Sequence, residues 1–177
     1  MSAILFSQAL DADGDSQNGI THVVIFAVAS LTIPVGGITQ VRVTFEAGST
    51  EACTITNAYI GHAAASGDVY DFLATPAQFL FGGATSKAVT AGTSFTSDFV
   101  NFKYNKTSAL LISFYCGGGS SSDMIRRKGT VTNVTHYTKT ANDAATVDKT
   151  GYTVSAVNLV GINKIEVVAG GVPLGLF

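Results

Sequence analysis

Short runs of alternating apolar and polar residues, each cut off by glycine, constrain this chain more than any other feature. In Gln40-Val41-Arg42-Val43-Thr44-Phe45-Glu46 the two kinds take turns. Successive side chains of a strand point to opposite faces, so this run is a strand with one buried face. Similar runs cover residues 4–10, 22–29, 53–61, 78–81, 95–104, 110–115, 129–138 and 164–168. They are populated by Thr, Val, Ile, Phe and Tyr, which suit a pleated surface. Between them stand Gly36-Gly37, Gly82-Gly83, Gly117-Gly118-Gly119 and Gly170-Gly171. Glycine reaches the positive-φ conformations of tight turns without steric cost. Short pieces such as 71–75 and 141–146 are the candidates for helical turns. The pattern predicts an all-β chain, a β-sandwich or jelly roll of about 8–10 strands with little or no helix. The 177 residues suit one core, with no internal repeat and no linker to divide them. Residues 117–123 are low in complexity and are expected to form a mobile loop.

The surface is short of charge. Charged residues make up 12% of the chain and hydrophobic ones 46%, where a soluble domain usually has about 25% charged. No stretch reaches the roughly 18 apolar residues of a membrane helix, so no membrane insertion is expected. The start, Met1-Ser2-Ala3-Ile4-Leu5-Phe6, lacks the positive opening of a signal peptide. A net charge of −2 gives no long-range pull on nucleic acid. The one basic cluster, Arg126-Arg127-Lys128, is expected in a solvated hairpin or a local ion-pair site. A surface this poor in charge calls for a cover, and other protein subunits are the expected one. The apolar segment Val172-Pro173-Leu174-Gly175-Leu176-Phe177 must pack on its own domain or on a neighbour. Val172, Leu174, Leu176 and Phe177 are therefore the expected assembly contacts. The two cysteines, Cys53 and Cys116, lack C-x-x-C spacing and are expected as buried free thiols; a bridge requires their strands to be neighbours.

Candidate chemistry is sparse. The acidic loop Asp11-Ala12-Asp13-Gly14-Asp15 has the oxygen-rich look of a calcium loop, making Asp11, Asp13 and Asp15 a weak calcium candidate. Its glycine falls two positions early and His22 stands where an EF-hand needs Glu, so a polar turn is the expectation. Gly14-Asp15-Ser16 matches the start of a GDSL hydrolase block, but no D-x-x-H follows to complete a triad. Asp68, Asp71 and Asp98 could serve a glycosidase only if a cleft paired them, and acids in such loops are usually turn formers. His62 reads as a structural residue. No catalytic residue, metal or cofactor is assigned. A sugar site needs an exposed aromatic ringed by polar groups; with no Trp, the aromatics available are Tyr70, Tyr104, Tyr115, Tyr137 and Tyr152. Asp68, Tyr70 and Asp71 are the expected ligand-binding set.

Two stretches carry a resemblance. One holds Asn57-Ala58-Tyr59-Ile60-Gly61-His62-Ala63-Ala64, then Ser66-Gly67-Asp68-Val69-Tyr70-Asp71-Phe72 and Thr75-Pro76. The other runs from Phe81-Gly82-Gly83 through Ala91-Gly92-Thr93 to Thr96-Ser97-Asp98. This pattern resembles non-catalytic β-sandwich modules beside SGNH-type hydrolases. It is also similar to small proteins encoded in phages and prophages of environmental bacteria. The resemblance covers roughly residues 38 to 168 and implies a jelly-roll-like sandwich with no catalytic residue. The expectation that follows is a structural virion protein (head decoration, tail or fibre), made in the host bacterial cytoplasm. Its expected partners are copies of itself and other virion proteins, with a host-surface glycan as the alternative ligand.

Overall fold

A computed structural model describes residues 2–14, 16–118 and 123–170. Along the chain lie β1 (Ser2–Ser7), β2 (Ala12–Gly14), β3 (Ile20–Phe26), β4 (Ile38–Glu46), β5 (Cys53–His62), β6 (Ala77–Gln78), β7 (Lys87–Val89), β8 (Ser94–Thr96), β9 (Val100–Asn101), β10 (Leu110–Cys116), β11 (Ile125–Lys128), β12 (Val134–Lys139), β13 (Thr153–Val154), β14 (Leu159–Val160) and β15 (Ile162–Ala169). The one helical piece among the described residues is a 3-10 turn at Val28–Ser30. The chain is all-β, as its alternation predicts.

The strands form antiparallel sheets packed on one another. The smaller runs β1-β15-β4, with β8 and β9 in tandem along the far edge of β4. The larger runs β13-β12-β3-β10-β5, with β6 and β7 in tandem along β5. A third sheet, β14-β11-β2, is smaller still. Between the two main sheets lies one core. Val41, Val43 and Phe45 of β4 and Ile165 and Val167 of β15 join Val24, Phe26, Ile60, Ile112 and Phe114 there. Phe45 meets Phe114 edge-on with ring centroids 5.1 Å apart, and Phe6 meets Phe26 at 4.8 Å. Both pairs cross from one main sheet to the other. The third sheet comes so close that a Cβ on Gly161 would lie 2.5 Å from Ile125 Cδ1, and Gly161 has φ +68°. No other residue fits there without displacement.

The strand reading needs correction in detail. Fifteen ladder segments are described where about eight to ten were expected, because the outer edges are broken. The 95–104 run splits into β8 and β9, and the Ser97 hydroxyl accepts the Val43 N–H between them at 3.0 Å. In the region of 78–81 the strand is short, Ala77–Gln78, and beyond it Phe81 makes an isolated bridge to Ala84. The 129–138 run begins its strand at Val134, after Asn133 turns at φ 62°. Residues 71–75 and 141–146 are turns and bends with no helix. The acidic loop contains a strand, β2, paired with the basic cluster on β11. Arg126 bridges Asp13 at 3.0 Å and Glu46 at 3.6 Å, and Lys128 pairs with Asp11. The basic cluster is a local ion-pair site.

Two histidines face the core from neighbouring strands. His136 Nδ1 lies 3.2 Å from the Val157 carbonyl, which can only accept, so Nδ1 carries the proton. His136 Nε2 then accepts from His22 Nδ1–H at 3.1 Å. His22 stacks on Phe114 at 5.0 Å, and its Nε2 has no partner. Burial holds both rings neutral: it drives His22 well below the ordinary imidazole value, with His136 adding repulsion, and lowers His136 to about 4. As pH falls, the unfolded chain takes up these protons first. Stability should therefore be full above pH 6.5 and decline as pH falls through about 4. For His136 alone the loss is on the order of 3 kcal/mol. Urea unfolding at pH 7 and pH 5 should show a lower midpoint at pH 5, and His136→Gln should flatten that difference; equal midpoints in the native chain would refute the buried neutral pair.

Candidate functional site

A strand buried on both faces needs something on each side. In β10, Leu111 faces away from the main core yet is fully buried. With Val23, Phe72 and Tyr152 it forms a second apolar cluster, flanked by Ile25, Tyr59, Ala63, Tyr70 and Tyr137. The cover comes from two loops, residues 63–76 after β5 and 140–152 after β12. They are knitted together. Phe72 N–H donates to the Val147 carbonyl at 3.0 Å, and Lys149 N–H donates to Asp71 Oδ1 at 2.7 Å. Phe72 lies against Gly61, where a Cβ would meet its ring at 2.5 Å.

Lys149 holds the second loop from inside. It is fully buried, and its ammonium donates to the carbonyls of Asp143 at 3.1 Å, Ala144 at 3.2 Å and Thr146. It also lies 4.7 Å above the Phe72 ring centre. Burial lowers its pKa to about 8, with Asp143 and Asp71 opposing that fall. A buried ammonium is tolerated because all three of its donors are taken. Asp143 accepts from Lys139 Nζ at 2.8 Å and from the Tyr152 hydroxyl. Burial works against its charge, but these partners hold its pKa below the ordinary carboxylate value. Burial and Asp143 together raise the Tyr152 hydroxyl.

Above this base sit the rings of Tyr70, Tyr137 and Tyr152. Tyr70 meets Tyr137 edge-on at 5.3 Å and Tyr152 at 5.0 Å. Asp68 raises the pKa of the Tyr70 hydroxyl by hydrogen bonding with it. A cleft of about 300 Å³ opens beside them, lined by Ile25, Ala63, Val69, Ala109, Thr135 and Tyr137 among others. Val69 and Leu73 are each 55% exposed and Val154 61%, with Val147 at 37%. Aromatic edges, apolar walls and one exposed carboxylate make a surface that can take the apolar face of a ring and accept from its hydroxyls.

The expected ligand set divides. Asp68 is exposed and Tyr70 half-buried at the surface, but Asp71 is buried. Its carboxylate faces the loop, taking the Asp68 N–H at 3.1 Å as well as the Lys149 amide. Asp71 locks the site's floor. The tyrosines were reached as the aromatics left when Trp is absent; Lys139, Asp143 and Lys149 were missed, because their roles arise only when the 140–152 loop folds back. Asp11 and Asp13 are occupied by Lys128, Arg126 and Ser49, and Asp15 lies outside the described residues. Asp98 accepts the Gly83 N–H at 2.8 Å in a turn. His62 accepts the Asn105 N–H at 2.8 Å and stacks on Tyr104, a structural role. Val172, Leu174, Leu176 and Phe177 lie outside the described residues. Among the described residues, no three His, Cys, Asp or Glu side chains are grouped to hold a metal. No protein-family model and no curated protein matches the chain.

Asp71→Ala should strand two backbone amides and cost about 1–3 kcal/mol. Limited proteolysis should then cut within residues 63–76 and 140–152 first, leaving the main core protected; a cleavage pattern matching the native chain would refute the locking role.

Proposed function

We propose that this chain is a non-catalytic structural subunit of a phage virion, a head-decoration, tail or fibre component, that works by packing against copies of itself and other virion proteins. The observation that carries this reading is the exposed apolar set Val69, Leu73, Val147 and Val154 around the tyrosine cluster, on a chain with only 12% charged residues. Scattered apolar residues are normal on any surface, but a grouped set marks an interaction face. Burying such a face contributes about 25 cal/mol per Å² of apolar area. The resemblance to phage-encoded sandwich proteins supports the same reading and gives the virion as its location. Light scattering after size exclusion should find an oligomer of the full chain, and Val69→Ser with Leu73→Ser should shift it toward monomer. A native chain that stays monomeric at high concentration would refute self-assembly.

The cleft lined by Tyr137, Thr135 and Val69 favours a second reading, a carbohydrate-binding surface to which Asp68 and Tyr70 contribute from either side of Val69. Its volume suits one sugar ring. A glycan array should return hits that Tyr70→Ala weakens at least tenfold, about 1.4 kcal/mol. An empty array, or hits untouched by that substitution, would remove this reading and leave the first standing.

A further inference from the structure

Two thiols meet inside the larger sheet. Cys53 opens β5 and Cys116 closes β10, and these strands are neighbours. Their sulfurs lie 3.5 Å apart, and both residues are buried. No other cysteine competes for either. The ladder pairs Cys116 with Ile55 across a bulge, so the sulfurs meet on a diagonal. Closure must draw the first residue of β5 toward the last residue of β10. Both are strand ends, where a ladder yields most readily, and Gly117 and Gly118 follow directly.

We propose that Cys53 and Cys116 are a redox pair that closes to an intramolecular disulfide when the protein meets a small-molecule disulfide oxidant. One protein thiolate attacks the oxidant RSSR, forms a mixed disulfide and releases one RS⁻. The second protein thiolate displaces the other RS⁻ and forms the Cys53–Cys116 bond. The two protein S–H protons end on the released thiols, so Prot(SH)₂ + RSSR gives Prot(S–S) + 2 RSH. In a reducing compartment the pair stays open, and in an oxidising one it closes.

Burial sets the pace. The thiolate is the attacking form, and the Cys116 thiol is pushed well above its usual pKa by its contact with Cys53 and by burial. Closure is therefore slow and speeds up when the strand ends open. The bond would span 63 positions of sequence, and a loop of that length restricts the unfolded chain strongly.

The test uses the full chain incubated with oxidised glutathione or with dithiothreitol, then denatured, alkylated with iodoacetamide and weighed intact. The expected oxidised product is a monomer, two hydrogens lighter, that takes up no alkyl group, and it melts at a higher temperature than the reduced form. Cys53→Ala should take up one alkyl group after dithiothreitol and show no oxidant-induced gain in melting temperature. Two alkyl groups after oxidation, stable glutathione adducts or cross-linked dimers would each overturn the proposal.

Discussion

The contact between Phe45 and Phe114 ties the two main sheets into one body. Each ring stands on a strand whose neighbours are in the same sheet, so no backbone hydrogen bond crosses between the sheets at this point. The join is made by apolar burial, with edge-on ring geometry adding about 0.5–1.5 kcal/mol. Phe114 also carries the stacked His22 and stands over Gly161, at the approach of the third sheet. Removing that ring would loosen three layers of packing at once.

β10 exposes a second requirement. Six of its seven residues are buried, so its sheet cannot leave the face opposite Phe114 to water. The two knitted loops answer this, and they do so with polar groups that would be costly if unpaired. Asp71 gives its carboxylate to two amides, and Lys149 gives its ammonium to three carbonyls. Neither adds much net stability by itself, because desolvation offsets most of the attraction. What they do is fix one loop conformation, and that conformation sets Tyr70 beside Tyr137 and Tyr152. The tyrosine surface and the second core thus depend on the same two loops.

The buried polar groups sort by what they accept. The histidine pair, buried, gives up its charge and keeps a chain of two hydrogen bonds ending on the Val157 carbonyl. Lys149 keeps its charge because the carbonyls of its own turn replace water. Arg126, partly exposed, holds three strands together through Asp13, Glu46 and the Leu10 carbonyl. These polar side chains therefore serve as internal links.

By itself the sequence determined the all-β class and the approximate place of the long strands. Period-2 alternation reports, residue by residue, which side of a strand is dry, and this is local information. In β4 the reading of Val41, Val43 and Phe45 as inward residues holds against their burial. Gly36-Gly37 and Gly82-Gly83 likewise marked turns, since positive φ is a property of one residue. Tertiary structure alone decided the rest. The pairing of β1 with β15 joins opposite ends of the described chain, and no local pattern encodes a partner so distant. The meeting of Cys53 with Cys116, of Asp13 with Arg126 and of Asp71 with Lys149 depends on the same long-range pairing. So does the tyrosine cluster: Tyr70 and Tyr152 come from separate loops, and they share a surface only because both loops must cover Leu111 and Val23.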